Sequence, residues 1–229
     1  MTSQNDIMPF TLFIGIDWSG AKGSSHRGIA VSAATIGNDA PYIVPPPASS
    51  RFWSRKAVFE YLLDVSKRHT VLAGIDFAFA HPFIDMNCYY PNEEKTPHNP
   101  EALWQLIDDL NGDQLDFYGG GIWKNARFGK YYNAPGNKGS AFESRRRVTE
   151  ILAKEVKSPT PTFNCVGPAG VGTGSLAGMR MLHALHQQAR RWPFEPYNHQ
   201  SLTLCEIFPS YYFALAGIKA VKGENAKAQ

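Results

Sequence analysis

The hexapeptide IGIDWS at 14–19 returns as AGIDFA at 73–78, and each copy closes an apolar run that reads as a strand. Side chains alternate along a strand, so Gly15 and Asp17 share one face, as do Gly74 and Asp76. A glycine two positions before each carboxylate leaves space on that face. If the two strands are parallel neighbours, about 4.8 Å apart, the carboxylates converge on one point. Two acids that close repel each other, and a shared proton, a basic partner or a divalent cation relieves them. A third acid, Glu206 in LTLCEIFPS, ends a later strand just before a helix that proline initiates. Hard oxygen ligands suit Mg²⁺ or Mn²⁺. Three strand-end acids around such a cation would serve metal-dependent phosphoryl transfer, with Asp17, Asp76 and Glu206 as metal ligands and catalytic residues. Taken singly, the same acids read as a turn cap, an ion-pair partner and a surface strand end.

The element pattern places this pair in a sheet. Strands are expected at about 10–18, 28–36, 41–45, 70–80 and 201–208, with a helix in RFWSRKAVFEYLLDVSKR, where Phe52, Val58, Tyr61, Leu62 and Val65 recur at helical spacing. Further helices are expected at PEALWQLIDDL, with Pro100 near its start, at 175–191 and at PSYYFALAGI. Hairpin strands followed by strands separated by helices predict an α/β fold, a mixed five-stranded sheet with helices on both faces. The 229 residues, 43% of them hydrophobic, fit one domain over 1–229 with an irregular insertion at about 81–145.

These pieces resemble the ribonuclease H-like superfamily and, more narrowly, the family catalogued as domain of unknown function 429, described as predicted RNase H-like nucleases. The resemblance is carried by IGIDWSGAKG, AGIDFAFAHP, ESRRRVTE, GPAGVGTGSLAGM and EIFPSYYFALAG, spread over nearly the whole chain. It implies a three-layer α/β/α fold and a metal-dependent nuclease or phosphodiesterase. It also implies a last acidic helix with a further metal ligand, for which the tail VKGENAKAQ offers only Glu224. Two alternatives share the topology. One is a nucleotide-binding phosphotransferase or ATPase of actin-like ancestry, using Gly172–Gly174 as its later phosphate loop; the other is a non-catalytic binding module.

Candidate phosphate contacts lie nearby. Gly172, Thr173, Gly174 and Ser175 run from a glycine-rich loop into a helix, where exposed N–H groups attract anions, although tight packing and capping explain the same residues. Ser19 and Lys22 follow the first acid. Residues 122–147 hold seven basic residues, Arg147 among them, against one acid, with aromatics interleaved. That composition suits a nucleic acid. Residues 85–116 hold eight acids against one lysine, so mutual neutralisation is the other reading. The net charge of +3 excludes a polycation. His183 and His186 lack a third zinc ligand. Three scattered cysteines, an opening MTSQNDIMPF without a basic n-region and the lack of any apolar run of about 18 residues lead us to expect a reduced, cytoplasmic protein without a membrane span.

Overall fold

In the computed structural model, which describes residues 9–37, 39–167 and 171–218, the chain forms a mixed sheet with helices. Strands β1 (Leu12–Asp17), β2 (Ala30–Thr35) and β3 (Tyr42–Val44) precede helix α1 (Arg55–Val65) and strand β4 (Val71–Ile75). Helix α2 (Pro100–Asp109), the short pair β5 (Asn133–Ala134) and β6 (Asn137–Lys138), and helix α3 (Val148–Ala153) follow. The chain continues through α4 (Val171–Ala184), β7 (Arg190–Trp192), β8 (Leu202–Glu206) and α5 (Pro209–Leu215). The main sheet runs β3-β2-β1-β4-β8-β7. β1 pairs antiparallel with β2 and parallel with β4, and β4, β8 and β7 are mutually parallel.

The expected strands all form, shortened at their ends, and the sheet has six strands rather than five. The sixth, β7, lies where a helix to residue 191 was expected. The helical pattern breaks earlier because Gln187 takes a positive φ of 64° and His186–Gln188 carries no apolar side chain toward the core. At its other end α4 begins at Val171, inside the glycine-rich segment. α3 was not expected at all. α1 is capped by Ser54, whose hydroxyl accepts the Ala57 N–H at 2.9 Å, and α2 by Asn99 with Pro100 in its first turn.

Alternation in the sheet sends Leu12, Ile14, Ile16, Val31, Ala33, Val71, Ala73, Ile75, Leu202 and Leu204 into one core. Val58 and Leu62 of α1, Trp104 and Ile107 of α2, and Leu176 and Met179 of α4 complete it. Phe13, 39% exposed, and Leu72 belong to the opposite face and lie outside that core. Helices on both faces were expected; α1, α2 and α4 contribute buried residues to this core, and α5 buries none of its residues. Glu224 lies outside the described residues. No helix among the described residues is long and apolar enough to cross a membrane, and all three cysteines are unpaired.

The loop leaving β1 is tied down from below by Arg55, which is wholly buried. Its Nη1 donates to the Ser19 and Ala21 carbonyls at 2.7 and 3.0 Å, its Nη2 to that of Gly23 at 3.4 Å and its Nε to that of Asp116 at 2.5 Å. The Asp116 carboxylate accepts the N–H groups of Arg55 and Lys56 and meets His26 at 2.9 Å. Burial lowers the Arg55 pKa to about 10, with the Asp116 charge opposing, so the guanidinium stays charged at neutral pH. Arg55→Met removes the charge facing the Asp116 carboxylate and the donor to the Ser19, Ala21, Gly23 and Asp116 carbonyls. We expect a loss of about 3 kcal/mol or more, read as a lower urea midpoint at unchanged slope. A loss below about 1 kcal/mol would show that the loop is held by other contacts.

Candidate active site at the strand ends

The β1–β4 register sets Gly15 opposite Gly74 and Ile16 opposite Ile75, and the Asp76 N–H continues the ladder to the Ile16 carbonyl at 3.0 Å. Asp17 and Asp76 are therefore neighbours at the carboxyl ends of two central strands, as the repeated hexapeptide predicts. The glycines do less to open space than expected. A Cβ on Gly74 would meet Ile207 Cγ2 at 2.6 Å, so that room is already filled. Asp76 is pushed up to about 6, by burial first and then by the charges of Asp17 and Glu206. Asp17 keeps an open surface, yet its carboxyl is also raised, partial desolvation outweighing the hydrogen bond from the Trp18 N–H.

Glu206 does not join the pair as a third open carboxylate. It lies level with Ile75, one step short of Asp76, and both of its oxygens are taken by Arg147: Nη1 to Oε2 and Nη2 to Oε1, each at 2.6 Å. Oε2 also accepts the Phe79 N–H at 3.0 Å. Arg147 in turn donates from Nε to Glu150 Oε1 at 2.9 Å, and its backbone N–H reaches Glu150 Oε2 at 3.1 Å. Burial opposes the Arg147 charge, but Glu206 and Glu150 hold the guanidinium firmly protonated. Among the described residues no three His, Cys, Asp or Glu side chains are gathered as a metal-binding group. Asp17 and Asp76 thus stand adjacent, with Glu206 beside them and bonded to Arg147.

A cleft of about 1660 Å³ opens over these ends and is lined by Ser19, Asp76, Arg147, Thr173, Gly174 and Glu206, among others. Lys22 projects from the exposed loop outside it, and Gly172 and Ser175 are buried. The glycine-rich segment forms the first turn of α4, and its packing accounts for its composition. A Cβ on Gly172 would come within 2.4 Å of the Thr162 carbonyl. The Thr173 hydroxyl donates to the Cys165 carbonyl, and the Ser175 hydroxyl donates to that of Val171 while accepting the Ala78 N–H. Residues 168–170 of that segment lie outside the described residues.

Three of the seven basic residues are engaged in ion pairs inside the insertion, and Arg146 and Arg147 bond residues beyond it. Arg127 and Lys130 pair with Glu93, Arg145 with Asp85, and Arg146 donates to the Pro159 carbonyl. Phe128, Tyr131 and Tyr132 are buried rather than presented as stacking platforms. His186 meets Glu101 at 2.9 Å, which accounts for it without zinc. Sequence reasoning missed Glu150, which nothing local marks as an ion-pair partner, and His81, which lines the cleft. His81 bonds the hydroxyls of Thr162 and Tyr132 at 2.8 and 2.9 Å, and burial, with Arg145 and Arg147 nearby, lowers its pKa to about 3. It is a neutral structural imidazole. Compared with family models, curated proteins and solved structures, the chain matches none.

The raised Asp76 has a thermodynamic consequence. Its folded value of about 6 exceeds the ordinary 3.8, so the folded state holds this proton more tightly. The resulting stabilisation is complete below about pH 4 and is lost as pH rises through about 6. Asp76→Asn is expected to raise the thermal midpoint relative to wild type at pH 7.5 and not at pH 4. Equal shifts at both would show that Asp76 is not strained by its neighbours.

Proposed function

We propose that the protein is a divalent-cation-dependent phosphoester hydrolase with an RNase H-like arrangement of its sheet. The fold part is supported by the strand order, in which an antiparallel β3-β2-β1 half continues into strands parallel to β1. The single observation that carries the function is the pair of adjacent aspartates, Asp17 and Asp76, neither with a basic partner among the described residues, at the carboxyl ends of β1 and β4. Two carboxylates, with water and substrate oxygens filling the remaining positions, suit Mg²⁺ or Mn²⁺. Bound there, the cation would neutralise phosphoryl charge and lower the pKa of a bound water.

The protein's own residues supply the rest. Asp17 and Asp76 hold the cation, Arg147 offers a planar fork matched to phosphate oxygens, and Ser19 adds a hydroxyl at the cleft wall. A nucleic acid, as the polymeric form of this substrate class, would meet Arg146, Arg147 and Lys157 at the cleft rather than a basic band along 122–147. The phosphotransferase alternative has less support because Gly172 is packed against Thr162 and Asn164 instead of lying open.

Calorimetric titration with Mn²⁺ tests the reading, with cleavage of bis(p-nitrophenyl) phosphate measured alongside. Asp17→Asn and Asp76→Asn are each expected to weaken Mn²⁺ binding by about tenfold or more, about 1.4 kcal/mol, while remaining folded. Cleavage should fall with them. Equal Mn²⁺ affinity in wild type and both variants, or none in the wild type at millimolar metal, would overturn the proposal.

A further inference from the structure

The Arg147–Glu206 pair is a two-pronged ion pair facing a cleft, and its two members are held differently. Arg147 is anchored from behind by Glu150, which is buried and takes both the Nε and the backbone N–H of Arg147. Those contacts leave Nη1 and Nη2 aimed at the cleft whatever occupies them. Glu206 is the more open partner, its side chain 29% exposed against 17% for Arg147. Its remaining hydrogen bond among the described residues is from the Phe79 N–H to Oε2, the oxygen that also takes Arg147 Nη1. The spacing of two guanidinium donors onto two carboxylate oxygens is also the spacing that a phosphoryl group accepts.

We infer that the Arg147 fork is the anion-binding element of this cleft and that Glu206 is its built-in competitor, displaced when a phosphoryl group binds. Glu206 thus acts as a gate residue for substrate rather than as a ligand of the cation. This rests on the phosphoester reading for its substrate class, but not on the cation. In the resting state the gate keeps a half-buried positive charge paired, and when Glu206 is removed the Glu150 contacts still hold the Nε end of Arg147. Any phosphoryl ligand must outbind Glu206, so a weakly held free anion is excluded, while one whose remaining body is gripped by the cleft is admitted.

The test uses the full chain in EDTA, with phenyl phosphate titrated calorimetrically. Glu206→Gln, which retains an acceptor for the Phe79 N–H, should bind phenyl phosphate about tenfold or more tighter than wild type. Adding Arg147→Met to Glu206→Gln should abolish that gain, with thermal melts confirming that each variant folds. Should the double variant not fold, Arg147→Lys with Glu206→Gln replaces it and should lose most of the gain, because an ammonium cannot present two parallel donors. Equal affinity of wild type and Glu206→Gln overturns the gate. A gain that survives loss of the Arg147 fork also overturns it, since the anion then binds elsewhere. Mn²⁺ titration of the same samples is a separate readout: its failure removes the cation from the proposed function and leaves the metal-free result to decide the gate.

Discussion

Three backbone carbonyls in the loop leaving β1 converge on a single buried guanidinium, and the arrangement of the strand ends depends on it. A loop has no ladder to satisfy its polar groups, so carbonyls turned inward need another donor. Arg55 provides up to five N–H groups in a rigid plane, and it takes the Ser19, Ala21 and Gly23 carbonyls together with that of Asp116. Asp116 then secures the start of α1 and meets His26. One charge pair therefore ties the loop after Asp17 to the helix beneath the sheet.

The same device recurs at two other irregular stretches. Arg145 gathers the carbonyls of Pro82, Cys88 and Tyr89 and pairs with Asp85, and Arg180 gathers those of Gln114 and Tyr118 and pairs with Asp108. Each is nearly buried and carries its own carboxylate, so its desolvation is offset by hydrogen bonds as well as charge. Of the loops fixed in this way, those at 19–21 and 83–85 line the cleft. Trp18 adds a bond from its indole N–H to the Gly174 carbonyl at 3.1 Å, joining the β1 loop to the start of α4. Gly20 is needed there because a Cβ would lie 2.2 Å from the Gly174 nitrogen.

Much of the sheet was legible because alternation in apolar strands is a local property. IGID and AGID end in phase, and the parallel register then places Asp17 beside Asp76. β7 was not legible: Arg190–Trp192 is three residues long, with two arginines in it, and belongs to the sheet only through its pairing with β8. α4 begins earlier than expected because its opening glycines read as a loop, whereas Gly172 is a close-packing position in the helix, where a Cβ would meet the Thr162 and Asn164 carbonyls. Arg55 was equally hidden. As the residue after a capping serine it looks like a solvated helix charge, and nothing local marks the carbonyls that it will reach.

By itself, the sequence determined the α/β alternation, the principal strands and the matching phase of two acids at strand ends, because these follow from side-chain periodicity and from a repeated motif; the parallel pairing of β1 with β4 made the acids neighbours. Only the tertiary structure decided where the charges went. Glu206 was removed from the acid cluster by Arg147, the basic segment was drawn toward Glu93 and Asp85, and the glycine-rich stretch became a packed helix start. The physical reason is that a buried charge takes the nearest partner in space, over separations of 59 residues for Arg147–Glu206 and 60 for Arg145–Asp85. Composition records which charges exist; folding chooses their partners.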